Sequence, residues 1–120
     1  MMRILLVDDE EELVTTMAER LSLRGIAADW VTSGEEALLQ AEKETYDLAV
    51  LDVKIPRMSG LKLQAKLKEK CPGMKFIFVT GHGSEDDFKA GTAEAGAGYY
   101  LVKPVNIEAL INKMKEALGV

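Results

Sequence analysis

The sequence predicts a doubly wound α/β domain built on a parallel sheet, and three observations carry that expectation. Short apolar runs alternate with longer stretches of helical period along the whole chain. Most of these runs are continuously apolar, as strands buried on both faces require. Residues that cap or stop helices fall where the helical stretches begin and end. Parallel neighbours joined by right-handed crossovers place helices on both faces of such a sheet.

The first strand is expected at 3–7, where Ile4, Leu5, Leu6 and Val7 follow Arg3. A helix at 11–21 comes next and should stop at Gly25. The second strand, 27–31, is mixed in polarity. Ser33 and Glu36 have the spacing of a capping box and open a helix at 35–44. A third strand at 48–51 leads to a helix at 60–70, which Pro72 and Gly73 terminate. The fourth strand is expected at 76–79, with Ser84 and Asp87 repeating the capping-box spacing before a helix at 85–95. Gly91 and Gly96 weaken that helix by about 1 kcal/mol each relative to alanine, so a short element is expected. A fifth strand at 99–102 precedes Asn106, an N-cap for a last helix at 107–118. There Ile107, Leu110, Ile111, Met114 and Leu118 form one apolar stripe.

A length of 120 residues fits one domain, expected to span 1–120 with no second module. The net charge of −5 disfavours direct contact with nucleic acid or an anionic membrane, since both require a basic face. The single cysteine, Cys71, cannot form an internal disulfide, which fits a reducing cytoplasm. No apolar run approaches the length that crosses a bilayer, and the chain enters its first strand too early for a signal peptide. The expected setting is cytoplasmic.

In sheets of this kind the functional rim lies at the carboxyl ends of the strands. Strand one ends in Val7-Asp8-Asp9, strand three in Leu51-Asp52, strand four in Val79-Thr80 and strand five in Val102-Lys103-Pro104. Any one of these residues alone reads as a turn former, a helix cap or a solvated loop residue. Their coincidence at four strand ends points to a site. Two like charges about 4 Å apart repel by roughly 4 kcal/mol at an effective dielectric near 20, so clustered carboxylates call for cations. Lys103 supplies one. A hard divalent ion, Mg²⁺ or Mn²⁺, suits the oxygen donors, whereas zinc lacks a Cys/His cluster. A carboxylate in such a setting can attack phosphorus and form an aspartyl phosphate.

The set Val7-Asp8-Asp9, Leu51-Asp52 with Pro56 and Gly60, Val79-Thr80-Gly81, and Tyr100-Leu101-Val102-Lys103-Pro104 resembles the receiver domain of two-component response regulators. The resemblance spans residues 2–118. It implies a flavodoxin-like (βα)5 fold with strand order 2-1-3-4-5, and transfer of a phosphoryl group to Asp52 from a histidine kinase or phosphotransfer protein. By the same resemblance, Asp8, Asp9, Asp52 and the backbone carbonyl of Lys54 bind the metal. Lys103 and Thr80 contact the phosphoryl group, Thr80 and Tyr100 act as the switch, and the Lys103-Pro104 peptide is cis. The side chains of Lys54 and His82 stand where dephosphorylation is tuned. The implied readout face combines helix four, strand five and helix five; it would engage a downstream protein and allows homodimerisation.

Other features read more plainly. Glu10 to Glu12 suit a solvated first helical turn favoured by the helix dipole. Trp30 and Phe76 are expected in the core or partly covered. Gly81-x-Gly83 is too short for a dinucleotide fingerprint. A phosphatase with an aspartyl nucleophile would carry a second aspartate two residues on, where Lys54 stands. An FMN carrier of the same fold would meet a repulsive carboxylate rim. A degenerate receiver, acting only as a binding module, would not keep the full Asp8, Asp9, Asp52, Thr80 and Lys103 set. The chain is expected to catalyse only its own phosphorylation and dephosphorylation.

Overall fold

The computed structural model describes residues 2–81 and 100–120. Five parallel strands form one sheet: β1 (Arg3–Val7), β2 (Ala27–Val31), β3 (Leu48–Asp52), β4 (Lys75–Thr80) and β5 (Tyr100–Val102). Their order is β2-β1-β3-β4-β5, as the resemblance implies. The described helices are α1 (Glu11–Ser22), α2 (Gly34–Lys43), α3 (Gly60–Lys70) and α4 (Ile107–Leu118). The helix expected at 85–95, its Ser84–Asp87 cap, Tyr99 and His82 all lie outside the described residues.

Continuous apolarity is explained by burial on both faces. Ile4, Leu6, Leu48, Val50, Ile77 and Val79 point into one cluster with Val14, Leu21, Leu110 and Met114 from α1 and α4. Leu5, Val7, Ala49, Leu51 and Phe78 point into a second with Leu63 and Leu67 from α3 and Ala37 from α2. β2 is mixed in polarity because it is an edge strand, paired only with β1. Trp30 on this edge strand is exposed, contrary to the expectation of cover, whereas Phe76 is half-buried against the second cluster.

The punctuation forms as chemistry requires. Ser33 Oγ accepts from Glu36 N at 3.1 Å, while the Glu36 carboxylate accepts from the hydroxyls of Ser33 and Thr32. Asn106 Oδ1 accepts from both Glu108 N and Ala109 N. Ser59 caps α3 by accepting from Lys62 N at 3.1 Å. That cap is not obvious from sequence, because lysine stands where a capping box would have an acid. Gly25 takes φ +77°, the left-handed turn that ends the α1 connection.

Candidate functional site

Parallel pairing sets Val7 beside Leu51, Asp52 beside Val79, and Thr80 beside Val102. Asp8 and Lys103 each follow the last residue of a strand, so the strand ends deliver their side chains to one rim. Asp8 is held by its own turn: its Oδ1 accepts from Glu10 N at 2.9 Å. Asp52 is held likewise, its Oδ1 accepting from Lys54 N at 3.1 Å. Both aspartates are about 95% buried, at 5% and 6% exposure, whereas Asp9 is exposed. Asp8, Asp9 and Asp52 each offer an oxygen within 4.8 Å of the others.

Lys103 Nζ ties this cluster together. It lies 3.1 Å from Asp8 Oδ2, 3.2 Å from Asp52 Oδ2 and 2.8 Å from Glu10 Oε1. Its backbone N–H donates to the Thr80 carbonyl at 2.7 Å, continuing the β4–β5 ladder past the last paired strand residue. The Lys103–Pro104 peptide bond is cis. Burial alone lowers the affinity of Lys103 for its proton, but the Glu10, Asp8 and Asp52 carboxylates outweigh it and raise the ammonium above its ordinary value. For Asp52 burial acts in the opposite sense and pushes its pKa up. The Asp8 charge adds to this, and the Lys54 N–H and Lys103 offset it only in part.

Thr80 is wholly buried, and its hydroxyl has no hydrogen-bond partner among the described residues. An orphaned buried hydroxyl costs about 1–3 kcal/mol, so among the described residues Thr80 carries an unmet hydrogen-bonding capacity close to the charged rim. Tyr100 is 40% exposed on β5, and the Lys54 side chain is exposed. Two further residues shape the rim. Gly60 opens α3 directly behind the site: a Cβ there would run into the Asp52 carbonyl oxygen and lie 2.9 Å from Val53 Cα. Glu10 belongs to the site and not to the solvated helical turn expected of it. It stands one residue before α1 and reaches Lys103, leaving Glu11 and Glu12 to the helix dipole. A basic residue 93 positions away cannot be read from an acidic run.

A compact acidic cluster beside a half-buried lysine, at the carboxyl rim of a 2-1-3-4-5 parallel sheet, defines a class of α/β proteins. These gather a hard cation and an anionic group at the strand ends. Within that class the chain belongs to the response regulator receiver domain family, whose model matches residues 4–115. It is 36% identical over 115 residues to the transcriptional regulatory protein GlrR of Escherichia coli K12, covering 96% of this chain and 26% of that protein. It is likewise 36% identical over 117 residues to the two-component response regulator PhoP of Pseudomonas aeruginosa, covering 98% and 52%. The chain thus spans about a quarter and about half of the length of these two curated relatives. Among solved structures, a CheY-like receiver domain protein from Methanospirillum hungatei JF-1 superimposes with a TM-score of 0.89 at 36% identity. That match covers 99% of this chain and 94% of the other.

Receiver domains serve phosphorylation-dependent signalling in two-component systems and bind Mg²⁺ at an acidic pocket. The residues here fit such an ion: three carboxylates converge, all donors are hard oxygens, and a buried hydroxyl is unsatisfied nearby in the sheet. No described helix is long and apolar enough to cross a membrane.

Proposed function

We propose that this chain is a phosphoacceptor switch: Asp52 takes a phosphoryl group from a phosphohistidine on a histidine kinase or phosphotransfer protein. The observation that carries the reading is the buried Asp52 carboxylate, held by Lys54 N–H and Lys103 Nζ beside Asp8 and Asp9. One Asp52 oxygen attacks phosphorus as the phosphorus–nitrogen bond to imidazole breaks, and the imidazole nitrogen takes up a proton. Asp8, Asp9, Asp52 and the Lys54 carbonyl would hold Mg²⁺, which neutralises charge on the transferred group. Lys103 donates hydrogen bonds to the phosphoryl oxygens. The Thr80 hydroxyl, satisfied at last by the modified Asp52, draws the β4 end inward, with Tyr100 moving in step.

The product is a shifted population that a downstream protein reads on the face including β5 and α4, where homodimerisation is a second outlet. Lys54 and His82 tune the acyl phosphate's lifetime through their side chains. The unit acts as one receiver domain in the cytoplasm, with no turnover of external substrates and no nucleic-acid contact of its own. Incubation with acetyl phosphate and Mg²⁺ should place acid-stable, base-labile phosphate on the wild-type chain and none on Asp52→Ala. Incorporation that survives Asp52→Ala, or none in wild type, refutes the reading.

A further inference from the structure

We propose that Glu10 is a displaceable counterion of Lys103, competing with the phosphoryl group for the ammonium and thereby setting how readily the site is charged. This inference rests on the reading of Asp52 as phosphoacceptor. An ammonium has three N–H donors. In this structure three carboxylates stand against them: Glu10 at 2.8 Å, Asp8 at 3.1 Å and Asp52 at 3.2 Å. The ammonium donates to Glu10 and Asp52 and is ion-paired with Asp8, so an incoming phosphoryl oxygen must compete with these carboxylates for it.

The three differ in how easily they can leave. Asp8 and Asp52 are buried, each with its other carboxylate oxygen committed to a backbone N–H. The Glu10 side chain is 62% exposed. Leaving Lys103, it enters water, and its hydration offsets the lost ion pair. Its backbone N–H is bound to Asp8 Oδ1, so the arm is anchored at its root and wet at its tip. The metal-binding cluster consists of Asp8, Asp9 and Asp52, and none of these acids is given up when Glu10 swings away. Glu10 is therefore a positioning residue: it holds Lys103 between charging events and opposes an incoming anion by its own charge.

Glu10→Gln keeps the side chain's length and removes its charge. Glu11→Gln removes an equal charge one residue on, in the first turn of α1. The chain and both variants are titrated with beryllium fluoride in Mg²⁺ at low ionic strength, and phosphorylated with acetyl phosphate under the same conditions. Glu10→Gln should bind the phosphoryl mimic about two- to fivefold more tightly and accept phosphate faster by a similar factor, the range of one exposed ion pair. Glu11→Gln should match wild type. The Glu10→Gln gain should fade toward none near 1 M salt, where the screening length is about 3 Å. A gain shared equally by Glu11→Gln, a salt-insensitive gain, or no gain overturns the competition while leaving Asp52 as acceptor. Absence of phosphate on every protein, wild type included, overturns the acceptor reading and the competition with it.

Discussion

Replacing Asp52 with asparagine should make the protein more stable at neutral pH in the absence of divalent ions. The carboxylates of Asp8, Asp9 and Asp52 bring oxygens within 4.8 Å of one another. At that separation Asp8 and Asp52 repel by about 3.5 kcal/mol at an effective dielectric of 20, whereas water screens the exposed Asp9. Lys103 at 3.2 Å returns about 5 kcal/mol on the same scale. Burial of the carboxylate, with the Asp8 charge added, outweighs Lys103 and the Lys54 N–H, so the balance stands against the charge and the pKa of Asp52 is raised. Asparagine keeps the shape and the acceptor toward Lys54 N–H, so a net gain of about 1–2 kcal/mol is expected, or roughly 3–10 °C in melting temperature.

The pH dependence follows from the direction of the shift. Because the folded protein holds the Asp52 proton more tightly than the unfolded chain does, wild type loses stability as pH rises from the unfolded value, near 4, through the folded one. The advantage of Asp52→Asn should therefore be absent below about pH 4, grow above it, and level off toward neutrality. Thermal melts by circular dichroism in EDTA, from acid to neutral pH, measure it. Added Mg²⁺ should raise wild type more than the variant, since binding stabilises only a folded site able to hold the ion. A variant less stable than wild type at pH 7 in EDTA, or a gain that ignores pH, refutes the reasoning.

Gly60→Ala should slow phosphorylation by small donors at least tenfold, because the added Cβ displaces the Asp52 backbone, and a small misplacement of a nucleophile costs that much; wild-type rates with acetyl phosphate would disprove it. Tyr46→Phe should cost about 1–3 kcal/mol in chemical denaturation, since the buried hydroxyl donates to Asp29 at 2.6 Å and accepts from Gln40 at 2.8 Å. Burial, with the Asp29 hydrogen bond, raises the Tyr46 hydroxyl to about 12. The wild-type advantage should thus be complete below about pH 10 and erode between about 10 and 12, as the folded tyrosine ionises; a constant difference across that window would count against the assignment.

Much of the fold was legible because strands buried on both faces must be continuously apolar, and Ile4–Val7 and Leu48–Leu51 are. The rim was legible for the complementary reason: a polar residue directly after such a run has nowhere to go but the strand end. Boundaries moved where pairing outlasted apolarity. Asp52 pairs with Val79 and so belongs to β3, and Thr80 pairs with Val102 and so belongs to β4. What stayed hidden depends on contacts between distant residues. Glu10 could not announce its lysine, Gly60 could not announce the carbonyl behind it, and the unsatisfied Thr80 hydroxyl is a property of its surroundings. Tyr46, the hub joining Asp29 and Gln40 beneath the ring-stacked Arg3, carries no sequence signal at all.

The sheet parts the interior into two apolar clusters that share strands but, in their described helices, no members: α1 and α4 build on one side, α2 and α3 on the other. Each outer surface is thus rooted in its own packing. Substitutions on the α1–α4 side should therefore disturb the α2–α3 packing only through the shared strands, and the reverse should hold too. Between them runs a charged rim set by the backbone ladder and by the turns that hold Asp8 and Asp52. Such a plan lets the two exteriors diversify separately while the chemistry at their common border stays constant.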